Sequence, residues 1–274
     1  MSLTVHTFAA LGEAAQALAA DRGARFLGGG TFVMRKINEG DLSITSIIRS
    51  TDPALHQIRG EAERVVIGAG VTMSAVAANR ETQFLAPVAL EVGGPAVRNM
   101  ATVGGNLFAR SPYGDFTTAL LALDSAVLVV EGASRREVPL VEFLRERSAQ
   151  EPRRLVAGVS LRRPQSRDAF RFEKLTRVKP HGVSVIAIAA HLPMSGGRVN
   201  GARVAYCSMA PRPVRVPAVE RALEGKSLDP SGIAATLAAA VEGLEPPTDA
   251  IASSWYRREV APVMLKRLLL GRQQ

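Results

Sequence analysis

Residues 101–115, Ala-Thr-Val-Gly-Gly-Asn-Leu-Phe-Ala-Arg-Ser-Pro-Tyr-Gly-Asp, carry the most informative pattern in the chain. An earlier glycine-rich stretch, Leu27-Gly28-Gly29-Gly30-Thr31, lies at the end of a predicted strand, residues 24–27. Glycines have no Cβ atom, so consecutive backbone N–H groups in such a stretch can face one anion. The side chains of Thr31, Thr102 and Asn106 add groups that can bind phosphate or sugar oxygens. Together the two stretches predict a site for a phosphate-bearing ligand.

Neither stretch matches the common nucleotide-binding motifs. A further stretch, Gly68-Ala69-Gly70, is followed by Val71, Thr72 and Met73, so it lacks the third glycine of the dinucleotide-binding fingerprint. The chain also lacks the Gly-Lys-Ser/Thr ending of a P-loop. Taken singly, a glycine cluster is explained by a turn more often than by a ligand. The presence of two clusters, each with polar residues beside it, is the more specific signal. Farther along, Asp115 can accept hydrogen bonds from a ribose or ribityl chain.

Composition excludes several classes of protein. The chain has 274 residues, of which 47% are hydrophobic and 22% charged, so it can bury a real core in about two domains. Its one cysteine, Cys207, can form no internal disulfide or cysteine-based metal centre, and the four histidines have no metal-ligand spacing. A reducing compartment is expected, since the single cysteine leaves no internal disulfide to form. Neither a membrane-spanning run nor a secretory signal is recognisable.

The basic charge balance is a weak indication of nucleic-acid binding. The formal net charge is +9 and the sequence pI about 10.5. Most arginines are scattered or lie in short pairs such as Arg135-Arg136, and no basic run alternates with aromatic residues that could stack on bases. We therefore expect no nucleic-acid partner.

Local patterns predict a mixed α/β half followed by a small sheet and helices. Predicted strands cover residues 24–27, 42–48, 64–67, 125–131, 170–175, 183–192 and 202–210. Predicted helices cover residues 12–22, 72–80, 117–123, 140–146, 217–224, 231–243 and 249–270. Residues 85–115 are predicted to be loop, and a domain boundary is placed in the charged segment 147–168.

At this point the sequence resembles the FAD-binding medium subunit of molybdenum hydroxylases, the family of carbon monoxide and xanthine dehydrogenases. The family's two glycine turns match residues 28–31 and 102–106, and its Ser-Pro-x-x-Asp continuation matches residues 111–115. A Lys-x-x-Arg element before an apolar strand matches Lys174 and Arg177, and residues 204–215 and 254–258 match in position and type. The resemblance extends over nearly the whole chain.

The resemblance implies an α+β fold with two domains. Residues 1–165 would form a two-subdomain FAD-binding fold of the vanillyl-alcohol-oxidase/PCMH type. Residues 168–274 would form a small flavoprotein domain with a three-stranded antiparallel sheet and a helical bundle. The implied FAD-binding residues are Leu27, Gly28, Gly29, Gly30, Thr31, Phe32, Val33, Thr102, Gly104, Gly105, Asn106, Ala109, Ser111, Asp115 and Lys174. No catalytic or metal-binding residue is expected on this chain.

The function that the resemblance implies is electron relay. A large partner subunit would hold molybdopterin, a small one two [2Fe–2S] clusters, and this chain would pass electrons through FAD to an external acceptor, in a dimer of heterotrimers. Lys174, as a cation near the flavin N1–C2=O edge, would favour the anionic reduced form, unless it is merely a surface lysine beside a strand. The complex is expected in the cytoplasm, or in the periplasm if a partner carries a signal.

Two departures from the family pattern and several aromatic residues need interpretation. Phe32 occupies a position that is often polar in the family, and His181 replaces an acidic residue that could pair with Arg177. Tyr113 is a candidate for the flavin side, whereas Tyr206, Trp255 and Tyr256 are expected to be core or interface anchors. Cys207 is expected to be a small buried hydrophobe.

Two other functions remain open from the sequence alone. A self-contained FAD-dependent reductase of the same fold would need its own proton-donating residues and an added substrate domain. A basic binding protein without cofactor would be colourless and would bind DNA with strong salt dependence.

Overall fold

The computed structural model describes residues 3–149 and 154–271. Residues 1–2, 272–274 and residues 150–153 of the charged segment lie outside the described part. The chain forms two compact units, each built from separate stretches of sequence. The first unit takes in the residues up to Gln83, Gly94–Phe108 and Ser125–Leu161. The second takes in Phe84–Gly93, Ala109–Asp124 and the residues from Arg162 onward.

The strands are β1 (Thr4–Phe8), β2 (Ala24–Phe26), β3 (Ser46–Ser50), β4 (Ile58–Glu61), β5 (Arg64–Gly68), β6 (Ala126–Glu131), β7 (Ser134–Pro139), β8 (Val156–Arg162), β9 (Phe170–Thr176), β10 (Ser184–His191), β11 (Met194–Ser195), β12 (Arg198–Val199), β13 (Arg203–Cys207) and β14 (Val214–Arg215).

The α-helices are α1 (Leu11–Ala20), α2 (Val33–Asn38), α3 (Met73–Ala78), α4 (Ala86–Leu90), α5 (Pro95–Arg98), α6 (Val103–Leu107), α7 (Asp115–Ala122), α8 (Leu140–Ala149), α9 (Pro217–Leu223), α10 (Ala234–Ala238) and α11 (Ser254–Leu270). Short 3₁₀ segments lie at Pro53–His56, Arg80–Leu85 and Arg167–Ala169.

The first unit contains a parallel sheet in the order β1-β3-β2 and a five-stranded sheet in the order β4-β5-β8-β6-β7. Helix α1 covers β3 with the buried side chains of Leu11, Ala14 and Leu18, whose spacing is that of one helical face. Because β2 and β3 run parallel and pair through Phe26 and Ile48, their carboxyl ends lie side by side. That edge places the first glycine turn.

The second unit is an antiparallel sheet in the order β14-β13-β10-β9, with α7 and α11 packed against it. Every residue of α7 is buried, which is typical of a helix enclosed by its own unit. The apolar core of the second unit includes Ile188, Tyr206, Met264 and Leu268, so the predicted core role of Tyr206 is confirmed. The expected antiparallel sheet with helices is present, with β14 as a short fourth strand beyond the three expected.

The sequence-based elements were wrong in two places that matter. Residues 85–115, expected to be loop, contain α4, α5 and α6 and the start of α7. These helices have four or five residues, which is too short to show a helical period. The charged segment 147–168 contains β8, whose residues 156–161 are all buried between β5 and β6. A fully buried strand shows no alternation of apolar and polar residues, so its pattern was missed.

Smaller errors concern element ends. Strand β1 was not predicted, and β3 lies at Ser46–Ser50 and not at residues 42–48. In the C-terminal part, α10 and α11 are shorter than residues 231–243 and 249–270. By contrast, Thr72 caps α3 as predicted, because its side chain accepts a hydrogen bond from the amide of Ala75.

Candidate cofactor-binding site

The two glycine turns lie against each other within the first unit. A Cβ atom on Gly29 would stand 1.5 Å from the carbonyl oxygen of Met100, and one on Gly28 would stand 2.8 Å from Oγ1 of Thr102. No side chain can occupy such a separation, so these glycines are required by the contact between the turns. From the sequence, these glycines were expected to let a ligand approach the backbone. In the structure, the space beside them is filled by the protein itself, by the backbone of Met100 at Gly29 and by the side chain of Thr102 at Gly28.

The first turn offers unused backbone donors. Leu27 donates its amide to the carbonyl of Ile48 at 2.8 Å, which anchors the turn to β3. Among the described residues, none of the amides of Gly28, Gly29, Gly30 and Thr31 has an acceptor. Gly30 has a φ of +74°, a conformation that side chains disfavour. A turn with successive unused N–H groups is suited to binding an anion.

The second turn uses its amides internally, which corrects the expectation that both turns are anion nests. Val103 donates to the carbonyl of Val71 at 2.9 Å, and Gly104 donates to that of Ala69 at 2.8 Å. The amide of Gly105 donates to Oγ1 of Thr102 at 3.1 Å. The side-chain amide of Asn106 donates to the carbonyl of Thr102 at 2.9 Å, so this buried side chain also serves the turn itself.

Thr102 caps α6, which explains why a threonine stands at this position. A Cβ atom on Gly104 would lie 2.8 Å from Cβ of Ala69, so this glycine is required by packing against the segment after β5. Gly105 differs, since a Cβ there would meet only Oγ1 of Thr102, at 3.2 Å. Of the second turn's glycines, Gly105 is therefore the one whose missing side chain leaves room for another molecule.

A cavity of about 170 Å³ lies beside the two turns in the first unit. Its lining includes Gly28, Thr102, Gly104 and Gly105, together with the basic side chains of Arg49, His56 and Arg154. Arg154 pairs with Glu146, whereas the exposed guanidinium of Arg49 has no partner among the described residues. The sequence analysis did not identify Arg49. The available signal was its position as a basic residue directly after the predicted strand 42–48; in the structure, β3 runs parallel to β2, which leads into the first turn.

The remaining site candidates lie in the second unit. Ala109 is buried, Ser111 is half-buried, and Asp115 begins α7. Lys174, on β9, is only 5% exposed at its side chain and pairs with Asp115 at 2.8 Å between Nζ and Oδ2. The alternative of a surface lysine is thus wrong. The second oxygen of Asp115 accepts a hydrogen bond from Ser184 at 2.6 Å, so both carboxylate oxygens are engaged within the protein.

Several aromatic and neighbouring residues can now be assigned. Trp255 and Tyr256 are 69% and 41% exposed, so they are not core residues. Phe32 and Tyr113 are also exposed. Cys207 is buried as expected, and burial raises the pKa of its thiol to about 12, which keeps it protonated and unreactive.

Arg257 is a buried cation with a structural role. Its guanidinium donates to the carbonyls of Val185, Pro247 and Ala252 and to both carboxylate oxygens of Asp249. Burial raises the pKa of Asp249, but the hydrogen bonds from Arg257 and from two amides outweigh it, and the pKa is lowered. Arg257 therefore ties the start of α11 to β10 and to the segment before the helix.

Comparison with known proteins settles the family. Residues 1–164 match the family model of the FAD-binding domain in molybdopterin dehydrogenase. The chain belongs to this family. Residues 171–271 match the C-terminal domain of the carbon monoxide dehydrogenase flavoprotein. A self-contained reductase would need a substrate-binding domain in this part of the chain.

Similar proteins include FAD-binding subunits and medium chains of dehydrogenases. The carbon monoxide dehydrogenase of Hydrogenophaga pseudoflava, in a form that lacks the Mo-pyranopterin moiety of its molybdenum cofactor, superposes with a TM-score of 0.90 at 26% identity, covering 98% of this chain and 96% of that one. The putative xanthine dehydrogenase FAD-binding subunit of Escherichia coli (strain K12) is 25% identical over 96% of this chain and 94% of that protein. The glyceraldehyde dehydrogenase medium chain of Sulfolobus acidocaldarius is 25% identical over 63% of this chain and 62% of that protein.

The chain is accordingly an FAD-binding electron-transfer subunit of the molybdenum hydroxylase family, with the mixed α/β fold of the PCMH type. The unused amides of the first turn, beside a cavity with an unpaired arginine, fit the diphosphate of FAD. In the described part of the chain, no helix has both the length and the apolar character needed to cross a membrane. The same residues bring together no three metal-ligating side chains.

Proposed function

We propose that the chain is the FAD-carrying subunit of a heterotrimeric molybdenum hydroxylase. Its partners would be a large molybdopterin subunit and a small subunit with two [2Fe–2S] clusters, assembled as a dimer of heterotrimers. When bound, FAD supplies one- and two-electron transfer, which lets the chain pass electrons from the clusters to an external acceptor. The membership of the family, with matches over both parts of the sequence, supports this proposal.

The cofactor would be held first by backbone donors. We assign the diphosphate to the amides of Gly28, Gly29, Gly30 and Thr31, because these N–H groups lack acceptors within the described chain. Arg49 lines the adjoining cavity and would add a charge-assisted contact to phosphate oxygens. The lack of partners on this turn is the observation that carries the assignment.

Other residues of the site would support the cofactor in different ways. Leu27, Phe32 and Val33 flank the first turn in sequence, and Thr102, Gly104, Gly105 and Asn106 form the second turn against which the first is packed. In the second unit, Ala109 and Ser111 precede Asp115, which engages Lys174. Because both oxygens of Asp115 are occupied, we assign this residue to holding Lys174 and not to binding a ribityl chain.

The domain division and the location are also proposals. Sequence modules at 1–165 and 168–274 are supported by the family matches to residues 1–164 and 171–271. The compact units cross that division, since residues 84–93 and 109–124 belong with the C-terminal unit. A cytoplasmic location is supported by the single cysteine, which leaves the chain no internal disulfide to form.

The test is cofactor analysis of the native complex and of the chain alone. We expect the chain purified alone to bind one FAD, and the complex purified from its source to contain molybdenum and iron in addition. Rapid electron transfer from reduced partner clusters to the flavin should be seen only in the complex. A chain that binds no flavin, or one that alone reduces a substrate with NADPH, would contradict the proposal.

A further inference from the structure

Helix α11 carries apolar side chains on the face that lies away from its own unit. Its buried face includes Ala261, Leu265 and Leu268, which pack into the core of the second unit. On the opposite face lie Trp255 and Val263, which are 69% and 49% exposed and about two helical turns apart. A helix covered on one side by its own domain normally has polar residues on the other. The outer face of α11 therefore departs from the pattern of a surface helix.

Two more apolar side chains are exposed beside this face. Tyr256 follows Trp255 in the helix, and Val178, in the loop after β9, is 67% exposed. This loop is fixed to the segment that leads into α11, because the guanidinium of Arg177 donates to the carbonyl of Ala250 at 2.9 Å. Single exposed apolar residues are common, whereas a group of them on adjoining elements is typical of a surface that another molecule covers. We define the α11 patch as Val178, Trp255, Tyr256 and Val263.

The aromatic part of the patch is held on a fixed backbone. Ser253 caps α11, since its hydroxyl accepts a hydrogen bond from the amide of Tyr256 at 3.1 Å. The amide of Ser254 donates to Oγ1 of Thr248 at 2.9 Å, and buried Arg257 ties the first turn of the helix to β10. Tryptophan and tyrosine lose little conformational entropy on binding and are enriched among the residues that dominate binding at protein interfaces. The first turn of α11 therefore has the properties of an interface anchor.

The charged groups beside the patch are mostly basic and have no carboxylate partners in the described part of the chain. Five exposed cations flank Val178 or lie on α11: Arg177, Lys179, Arg258, Lys266 and Arg267. On other surfaces exposed arginines are paired, as Arg136 is with Glu131 at 2.7 Å. One exposed carboxylate, Glu259, lies on the outer face of α11 between Trp255 and Val263, and no cation of the described residues pairs with it.

A cleft of about 1000 Å³ shows that the loop and the helix share one surface of the second unit. Its lining includes Lys179 from the loop together with Val263, Lys266 and Arg267 from α11. Two carboxylates, Glu91 and Glu173, line it as well. The patch is thus continuous with a concave region in which side chains of a bound molecule have room, and in which the cations outnumber the carboxylates.

Charge decides which kind of molecule fits the patch. A second copy of this chain, docked through the same face in a two-fold dimer, would bring the same cations against each other. A nucleic acid or an anionic membrane would meet the carboxylate of Glu259 in the middle of the face. A protein surface can offer carboxylates to the cations and a cation to Glu259 while covering the apolar side chains.

We propose that the α11 patch is the docking surface for a partner subunit of the dehydrogenase complex, one whose facing surface is apolar at its centre and acidic around it. The inference rests on the proposed function, which requires that partner subunits bind this chain. Trp255 is the central anchor, because it is the largest and most exposed side chain of the patch. Lys266 contributes to the basic rim, beside Trp255 and Val263 on the same helical face.

The first test uses the fact that Trp255 is the only tryptophan in the sequence. The full-length chain is labelled with 5-hydroxytryptophan, which can be excited separately from the tryptophans of other subunits. Quenching by acrylamide is measured for the chain alone and after reassembly with partner subunits separated from the native complex. We expect quenching to fall several-fold on assembly. Equal quenching in the chain and in the assembled complex would overturn the inference.

The second test compares Trp255→Ser with Leu42→Ser. Leu42 is the matched control, since it is an apolar side chain 76% exposed on the first unit. We expect Trp255→Ser to raise the dissociation constant for the partner subunits about thirtyfold, the typical effect of truncating an aromatic anchor, and Leu42→Ser to leave it unchanged. Melting temperature and FAD binding should match the parent chain in both variants, because both side chains are exposed. Equal dissociation constants for the two variants would contradict the proposal.

The third test reverses a charge of the rim. Lys266→Glu should raise the dissociation constant about fivefold at low salt and much less at high salt. Lys226→Glu makes the same change in net charge at an exposed lysine of the second unit that does not line the cleft, and it should have little effect. Binding that is unchanged or tighter in Lys266→Glu would show that the facing surface is not acidic.

Other occupants of the patch would give different results, each of which would overturn the inference. A dimer of the chain alone that Trp255→Ser abolishes, seen by sedimentation, would assign the patch to a second copy. Binding to anionic phospholipid vesicles or to DNA that the same variant abolishes would assign it to a membrane or a nucleic acid. If the parent chain assembles with no partner subunit at all, the proposed function itself fails, which is distinct from a complex that forms and leaves Trp255 accessible.

Discussion

The two glycine turns have similar composition but use their backbone in opposite ways. In residues 28–31 the amides have no acceptors within the described chain, and the turn is held by the Leu27 amide and by close contact with Met100. In residues 102–106 the amides are bonded to Thr102 and to the segment after β5. The first turn can therefore bind an anion directly, whereas the second turn forms the surface that shapes the first.

This difference separates two reasons for a glycine. Gly29 and Gly104 are required because the protein's own atoms fill the space that a Cβ would need. A Cβ on Gly105 would meet only Oγ1 of Thr102, at 3.2 Å, and Gly105 lines the cavity. Substitutions at the first kind should destabilise the fold, and substitutions at the second should act on the ligand.

The largest effect is expected for Gly29→Val. The valine side chain would overlap the carbonyl of Met100, so we expect a loss of about 3 kcal/mol or more in the free energy of unfolding. The melting temperature should fall by about 6 °C or more, with loss of bound FAD. Gly94→Val is the control, because a Cβ on Gly94 would meet no atom within 4 Å. Equal melting temperatures for Gly29→Val and the parent chain would show that the turns are not in contact.

Arg49→Gln should weaken FAD binding without unfolding the chain. Loss of a charge-assisted contact to phosphate should raise the FAD dissociation constant about tenfold, and the difference should shrink at high salt. Arg59→Gln is the matched control, since Arg59 is also exposed but does not line the cavity. Fluorescence titration with FAD at two salt concentrations measures both. Identical titrations for the two variants would remove Arg49 from the site.

Thr102→Val should act on stability more than on the cofactor. The substitution removes the cap of α6, which costs about 1 kcal/mol, and should lower the melting temperature by about 2–4 °C. Thr72→Val removes the corresponding cap of α3 and should have a comparable effect. The FAD dissociation constant should change little, because the hydroxyl already serves Gly105. A strong loss of FAD at an unchanged melting temperature would mean that Thr102 contacts the cofactor.

The smallest effect is expected for Gly105→Ala, which should act separately on the stability of the fold and on FAD binding. Alanine favours the helical backbone of α6 by about 0.5–1 kcal/mol, but its Cβ would press on the capping Oγ1 of Thr102 at 3.2 Å, so the melting temperature should change by less than about 2 °C. The new methyl group faces the cavity and should raise the FAD dissociation constant about threefold, or about 0.6 kcal/mol. Tighter FAD binding together with higher stability would show that the cofactor does not approach this part of the second turn.

The sequence correctly indicated that the two glycine clusters make close contacts, but it was a poor guide to the hydrogen bonds that their backbone amides form. Glycine clusters signal close approach, and the two clusters are indeed close, but composition does not say whether the approaching group is a ligand or Met100. The partners of amides are set by tertiary contacts such as that between Gly104 and Ala69. Only the folded structure shows that the amides of residues 28–31 have no acceptor within the described chain, whereas those of residues 103–105 do.

Buried charges illustrate the same limit. Lys174 and Asp115 were both identified from the motif, each for its own contact with the cofactor, yet they contact each other. Ser184, whose hydroxyl donates to Asp115, was not identified from the sequence, because a serine at the start of an apolar strand forms no distinctive pattern. Strand β10 was predicted to within one residue at each end, since it is a continuous apolar run, whereas α11 was predicted at its carboxyl end but begins five residues later than expected.

Helix α7 has a consequence for how the protein is made. It is buried on every side, yet the strands that enclose it, β10 and β13, are encoded much later in the chain. During translation α7 leaves the ribosome without its covering and must remain exposed until the last third of the polypeptide has been synthesised. A separately expressed C-terminal fragment starting at residue 168 would lack this helix and present an uncovered apolar sheet. Its aggregation in the absence of the preceding segment is the expected behaviour of such a fragment.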